Sequence, residues 1–240
     1  MPRAKYKKIY EDLKQKIENE FYQYQQLLPS ENTMVKEYDC SRNTIRRAIG
    51  ELASEGYVQT RHGHGARVIY QDFKQAEYMF GETETFKQFA IRNKKGHRTE
   101  VIVFEEVTVD ERIHEETMMP VGVEVYHLQR VRYLDGDPVI MDYNYFRKDV
   151  VKDLTVDIAE DSIYEYLERE WNQRAVTAKR KMTVEKVTET DEKYLKMDGY
   201  NCVVVVTSHV FNGDGVMFEY TQSRHMPGNF VFFDQTQRKG

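Results

Sequence analysis

Two groups of cationic side chains in this sequence have the spacing to recognise anions. Arg42, Asn43, Arg46 and Arg47 fall in a stretch where Ile45, Ala48, Ile49 and Leu52 recur at helical spacing. With those four apolar residues turned inward, the arginines and Asn43 stay outside the core, near the N-terminal half of the helix. A guanidinium fork matches O6 and N7 of guanine, worth about 1–3 kcal/mol of discrimination per good pair. In a helix-turn-helix, the first residues of the second helix reach base edges in the major groove. The second group is Arg130 and Arg132, two apart in an alternating run and therefore on one side of a strand. Such a pair suits a phosphate or carboxylate through bidentate charge-assisted hydrogen bonds. Asp142 on the next strand and Glu219 on a later one suit sugar hydroxyls. A cross-strand salt-bridge network, Arg132 to Asp142, accounts for the same residues without a ligand, and spacing leaves both readings open.

The elements that must position the first group are short. Tyr6, Ile9, Tyr10, Leu13, Ile17 and Phe21 form a stripe at spacings of three and four, predicting a first helix over residues 5–21. Pro29-Ser30 is a stop followed by a cap, and Met34, Val35 and Tyr38 give the next short helix one apolar face. Asp39-Cys40 is the turn. Ser41 is the next N-cap, its hydroxyl placed to accept from the backbone N–H of Asn43 or Thr44. Gly56 sits where a left-handed residue ends the helix. Tyr57 to Gln59 and Arg67 to Tyr70 read as the strands of a winged hairpin around Arg61-His62-Gly63-His64-Gly65. Glycines there allow close approach to a groove. The His62–His64 pair has no cysteine or carboxylate at zinc-like spacing nearby and implies no metal.

Charge divides along the chain. The total is −5, yet residues 1–70 carry 12 Lys+Arg against 9 Asp+Glu, leaving 23 against 31 for the rest. A mildly basic reader joined to an acidic partner domain fits that asymmetry. Apolar residues at 40% and charged residues at 31% describe a globular protein. No run approaches the roughly 20 apolar residues that span a bilayer. The basic start, Met1-Pro2-Arg3-Ala4-Lys5, has no apolar stretch behind it and reads as no secretion signal. Cys40 and Cys202 read as isolated reduced thiols, so cytoplasm is the expected compartment.

Residues 71–98 read as a linker and the entry to a second domain, with Phe86, Phe89 and Ala90 suggesting a short helix within it. Strands are predicted over 101–109, 123–134, 139–146, 181–188, 202–211, 216–226 and 229–233, with helices at 110–117, after Ser162 to Trp171, and at 191–197. Asp135-Gly136-Asp137-Pro138 is a hairpin turn. The expected class is an α+β domain with an antiparallel sheet, over residues 99–236, behind a winged helix-turn-helix over 1–70.

The motifs resemble those of a known family. Leu28-Pro29-Ser30-Glu31, Ser41-Arg42-Asn43-Thr44-Ile45-Arg46, Glu55-Gly56 and Gly63-His64-Gly65 resemble the winged helix-turn-helix of the GntR transcription regulators. That resemblance implies double-stranded, palindromic operator DNA as partner, a homodimer, Arg42 and Arg46 on bases or phosphates, Ser41 and Thr44 on phosphates, and His62 and Gly63 at the minor groove. The full DNA-facing set adds Ser30, Asn43, Arg47 and Arg61. Asn32 departs from relatives that place a DNA-contacting arginine there.

Arg130-Val131-Arg132, Asp135-Gly136-Asp137-Pro138, Ser162-Ile163-Tyr164 and Glu219 are similar to the UTRA effector domain of the HutC branch, which has a chorismate-lyase-like fold. The resemblance implies Arg130, Arg132 and Ser162 as ligands of a sugar phosphate, with Asp142, Tyr164 and Glu219 on the sugar. His225 stands where some relatives have a tyrosine. Ser223-Arg224-His225-Met226-Pro227 and the start Lys5-Tyr6…Ile9-Tyr10 are similar to trehalose-responsive members of that branch, implying trehalose 6-phosphate as inducer of a repressor. Alternatives are another anionic effector, of the glucosamine 6-phosphate or carboxylate kind, and a lyase-like enzyme. The last has no nucleophile–base pair, metal set or Gly-rich phosphate loop to support it, so no cofactor and no catalytic residue is expected.

Overall fold

The structure is a computed structural model and describes residues 2–61, 63–71, 78–79 and 85–233. The chain divides between Gln75 and Ala76 into two compact units.

The first unit holds three helices, α1 (Pro2–Glu18), α2 (Glu31–Glu37) and α3 (Arg42–Ser54), then the hairpin β1 (Val58–Arg61) and β2 (Gly65–Val68). Its core takes Ile9, Leu13 and Ile17 from the stripe foreseen on α1, against Met34, Ile45, Ala48, Ile49, Leu52 and Val58, whereas Phe21, also placed in that stripe, lies past the end of the helix and is exposed. The Ser30 hydroxyl accepts from Thr33 N–H at 3.1 Å and that of Ser41 from Thr44 N–H at 3.2 Å, so both helices start on a satisfied cap. Gly56 is left-handed, φ +82°, as its place after α3 requires. The wing strands lie nearer the tip than the sequence suggested. Tyr57 precedes β1, and its ring stacks on that of Tyr70 at 4.7 Å.

The second unit contains β3 (Tyr78–Met79), α4 (Phe86–Arg92), β4 (His97–Thr108), α5 (Glu111–Thr117), β5 (Glu124–Leu134), β6 (Asp137–Arg147), α6 (Val156–Glu160), α7 (Ile163–Trp171), β7 (Thr177–Lys186), α8 (Glu189–Tyr194), β8 (Cys202–Phe211), β9 (Met217–His225) and β10 (Phe232–Phe233). Six strands form an antiparallel sheet in the order β4-β5-β6-β9-β8-β7. Asp135 (φ +51°) and Gly136 (φ +91°) make the tight two-residue link between β5 and β6.

Four expectations need correcting. Residues 85–98 belong to the second unit rather than to a linker, because Phe89 and Ala90 of α4 are buried against Leu134, Val139 and Ile140. α4 holds its place with a capping box between Thr85 and Gln88. β7 begins at Thr177, not Lys181: it is an edge strand, and Lys179-Arg180-Lys181 hides the alternation. α8 lies at Glu189–Tyr194, where Thr188 and Asp191 cap it, rather than at 191–197. The last strand is only Phe232–Phe233 and pairs parallel with β3.

Candidate functional site

Along α3, Arg42, Asn43, Arg46 and Arg47 are exposed, while Ile45, Ala48, Ile49 and Leu52 are buried. Two of the arginines reach back to the start of α2. Arg46 Nε donates to both oxygens of Glu31 at 3.0 Å, and Arg42 Nη2 donates to Asn32 Oδ1 at 2.6 Å. Their side chains keep 60% and 56% of their surface, so these contacts hold direction without removing the guanidinium groups from solvent. Arg47 instead lies over the Tyr6 ring at 3.8 Å, tied to α1. Ser30, Ser41, Arg61 and Gly63 are exposed and Thr44 is half-buried. Gly63 (φ +74°) and Gly65 (φ +84°) turn the wing tip in a conformation that side chains resist. His62 lies outside the described residues.

In the second unit, all seven residues assigned to an effector line one cavity of about 200 Å³. The period-two geometry of the sheet brings them together. Arg130 pairs in register with Asp142, Asp142 with Ser223, Asn144 with Thr221, and Phe146 with Glu219. One face of β5, β6 and β9 thus forms the floor, and α4 and α7 supply Phe86, Lys87, Ser162 and Tyr164.

The floor is linked by hydrogen bonds from end to end. Arg130 Nε donates to Asn144 Oδ1 (2.9 Å), Asn144 Nδ2 to Thr221 Oγ1 (2.7 Å), Thr221 Oγ1 to Glu219 Oε1 (2.6 Å) and Tyr164 OH to Glu219 Oε2 (2.6 Å). Arg132 Nε donates to Asp142 Oδ2 at 2.8 Å and Ser223 Oγ to Asp142 Oδ1 at 2.6 Å. The cross-strand salt bridge is therefore present, and it lies inside the cavity. Ser162 Oγ accepts from Glu165 N–H at 3.3 Å, capping α7 as foreseen.

Burial sets the charges. Desolvation would raise Asp142, but the Arg132 and Arg130 guanidinium groups and the Ser223 hydroxyl outweigh it and hold this carboxyl below its ordinary range. Desolvation raises Glu219 and Tyr164. Desolvation, with Arg132 nearby, pushes Arg130 down to about 9, still charged at neutral pH. Desolvation pushes His225 down to about 4, against the pull of Asp142, so its ring is neutral. The lining carries four basic side chains, Lys87, Arg130, Arg132 and Arg180, against three acidic ones, Asp142, Asp161 and Glu219, a formal excess of positive charge for an anion.

The sequence reading missed Lys87, Asn144, Arg180, Ser208, Thr221 and Ser223 in this lining. Period two from Asp142 reaches Asn144, and from Glu219 reaches Thr221 and Ser223. Nothing local marks Lys87, whose Nζ contacts Asp161 (2.7 Å) and Glu165 (2.9 Å). Among the described residues, no three His, Cys, Asp or Glu side chains group to hold a metal, and no helix is long and apolar enough to cross a membrane.

Comparison with known proteins decides the family. Residues 5–68 match the bacterial regulatory proteins of the gntR family, and residues 92–230 match the UTRA domain. Over 230 residues, 96% of each chain, the sequence is 34% identical to the HTH-type transcriptional regulator TreR of Bacillus subtilis. This chain belongs to the GntR family of transcription regulators. The solved effector-binding domain of the B. subtilis trehalose repressor is 34% identical and superposes with a TM-score of 0.53, covering 60% of this chain and 99% of that one. A possible transcriptional regulator of B. subtilis, YydK, shares the fold over 97% of this chain and 99% of its own, with a TM-score of 0.78 at 20% identity. As a GntR regulator the protein is not an enzyme, and the lyase alternative is set aside.

Proposed function

We propose that this regulator represses a trehalose-utilisation operon and releases its operator when trehalose 6-phosphate binds the second unit. The observation that carries the reading is the convergence of Arg130, Arg132, Asp142, Ser162, Tyr164, Glu219 and His225 on one cavity, in a domain 34% identical to the effector-binding domain of a trehalose repressor. Arg130 and Arg132 serve the phosphate together with Ser162. Asp142, Glu219, Tyr164 and His225 serve sugar hydroxyls, whose oxygens both donate and accept. Ser30, Ser41, Arg42, Asn43, Thr44, Arg46, Arg47, Arg61 and Gly63 face operator DNA, the serines and Thr44 on phosphates and the arginines of α3 on bases or phosphates. A homodimer presents two reading heads to a palindrome, in the cytoplasm. Effector and operator oppose each other by linkage, each lowering affinity for the other by one factor.

The test begins with operator duplexes selected from a random pool. Fluorescence anisotropy then follows release by trehalose 6-phosphate, glucosamine 6-phosphate, trehalose and urocanate. Release by trehalose 6-phosphate at the lowest concentration is expected. If no phosphorylated sugar shifts DNA binding or the melting temperature, the effector assignment is wrong.

A further inference from the structure

Asn32 is the second residue of α2 and is exposed. Its Oδ1 accepts from Arg42 Nη2 at 2.6 Å, across the turn between α2 and α3. A guanidinium only donates, so the amide must turn its oxygen toward Arg42 and its Nδ2 away. Nδ2 has no partner among the described residues. An asparagine that reads adenine accepts from N6 while it donates to N7, and needs its oxygen for the first of those bonds. Here that oxygen already faces a guanidinium, and a second donor brought to it meets the positive hydrogens of Arg42. What the pair offers outward is therefore a set of donors. Guanine, with acceptors at both O6 and N7, matches such a set, and adenine, with a donor at N6, does not. The two exposed arginines of α3 are also steered by different means. Arg46 is held by both oxygens of the Glu31 carboxylate at 3.0 Å. Arg42 is held by a neutral amide, the nearer Glu31 oxygen lying 3.8 Å from its Nε. A neutral partner gives direction without setting another negative charge against the phosphates.

We propose that Asn32 sets operator specificity as a positioning residue, aiming Arg42 at a guanine rather than reading adenine itself. This rests on the reading of Arg42 as a residue that meets bases. Asn32 then acts through Arg42, and its own amide hydrogens add no preference for an A·T pair.

Fluorescence anisotropy on the full chain tests it, with an operator duplex selected from a random pool and a panel in which each base pair of that duplex is replaced in turn. Arg42→Ala marks the G·C pair that Arg42 reads, as the pair at which discrimination is lost. Asn32→Ala should reduce discrimination at that same pair by about 3–10-fold, the worth of one hydrogen bond. The other pairs and the melting temperature should stay as in wild type. Asn32→Asp still accepts from Arg42 but has no N–H to offer. It should keep the guanine preference while weakening every duplex alike through its charge. Asn32→Ala added to Arg42→Ala should change the panel no further. A wild-type panel in Asn32→Ala, lost discrimination at a different pair, a further loss in the double variant, or a lost guanine preference in Asn32→Asp each overturns the proposal and leaves Arg42 as a base reader. A panel unchanged by Arg42→Ala overturns both.

Discussion

Arg46 donates through Nε to both carboxylate oxygens of Glu31, 3.0 Å from each, and so carries an acidic partner on the face proposed to meet DNA. Glu31 opens α2 while Arg46 lies a turn inside α3, so the pair fixes the direction of the guanidinium across the helix-turn-helix. The same carboxylate repels phosphate wherever the arginine is not satisfied by a base. Glu31→Gln should therefore raise affinity for random duplex and reduce the ratio of operator to random binding by about 2–5-fold, the range of an exposed ion pair. Anisotropy on the two duplexes reads this directly, and an unchanged ratio removes Glu31 from the discrimination.

Arg42→Ala and Arg46→Ala should each weaken operator binding by about 1–3 kcal/mol if they read bases. Both side chains are more than half exposed, so melting temperatures should barely change. Salt titrations separate the roles. A lost phosphate contact lowers the slope of log affinity against log salt by about 1, and a lost base contact leaves it unaltered.

Arg130 and Arg132 should respond differently to truncation, though both face the cavity. Arg130 is 3% exposed and donates to Asn144 and to the Ala159 carbonyl, so Arg130→Ala removes a rivet between the sheet and α6. A loss of about 3–5 kcal/mol is expected, because partners of the buried charge are left unsatisfied. Arg132 is more open, and Asp142 keeps its bond from Ser223 when Arg132 is removed. Arg132→Ala should lose less stability in urea unfolding while abolishing the response to a sugar phosphate.

Acid should destabilise the second unit partly through His225. Its pKa is about 4 folded, lowered by burial, against 6.5 unfolded. Between those values the unfolded chain binds more protons, so stability is lost as pH falls from 6.5 toward 4, by up to about 3 kcal/mol. Glu219 acts in the opposite sense. Burial raises its folded pKa above 4.5, so its contribution improves on acidification through that raised value. His225→Gln should flatten the decline in melting temperature between pH 7 and pH 5, and a slope equal to wild type excludes this ring as the cause.

What could be read in the sequence follows from how local its causes are. Ser30, Ser41 and Ser162 cap helices through bonds to a backbone N–H three residues on, and all three caps are where the sequence put them. The shared face of Arg130 and Arg132 follows from strand periodicity alone, as does their meeting with Asp142 across a hairpin whose turn residues are explicit. The short helix suggested by Phe86, Phe89 and Ala90 is α4, but seven residues carry too little pattern to say what it packs against. Its contacts with Leu134, Val139 and Ile140, and those of Lys87 with Asp161 and Glu165, all more than forty residues on, make it part of the domain. The order that places β9 beside β6 is equally nonlocal, and it is what delivers Thr221 and Ser223 to the cavity. β7 lost its first four residues to a cationic run because an edge strand needs no apolar alternation.

The hydrogen-bonded floor from Arg130 through Asn144, Thr221 and Glu219 to Tyr164 crosses three strands before it meets a helix. Altering any interior member strands a neighbour's donor or acceptor in a dry place, whereas Phe86 and Lys87 on the overlying α4 answer to few partners. A lineage built on this architecture can therefore acquire a taste for a new metabolite by rewriting its ceiling, with the foundation inherited unchanged.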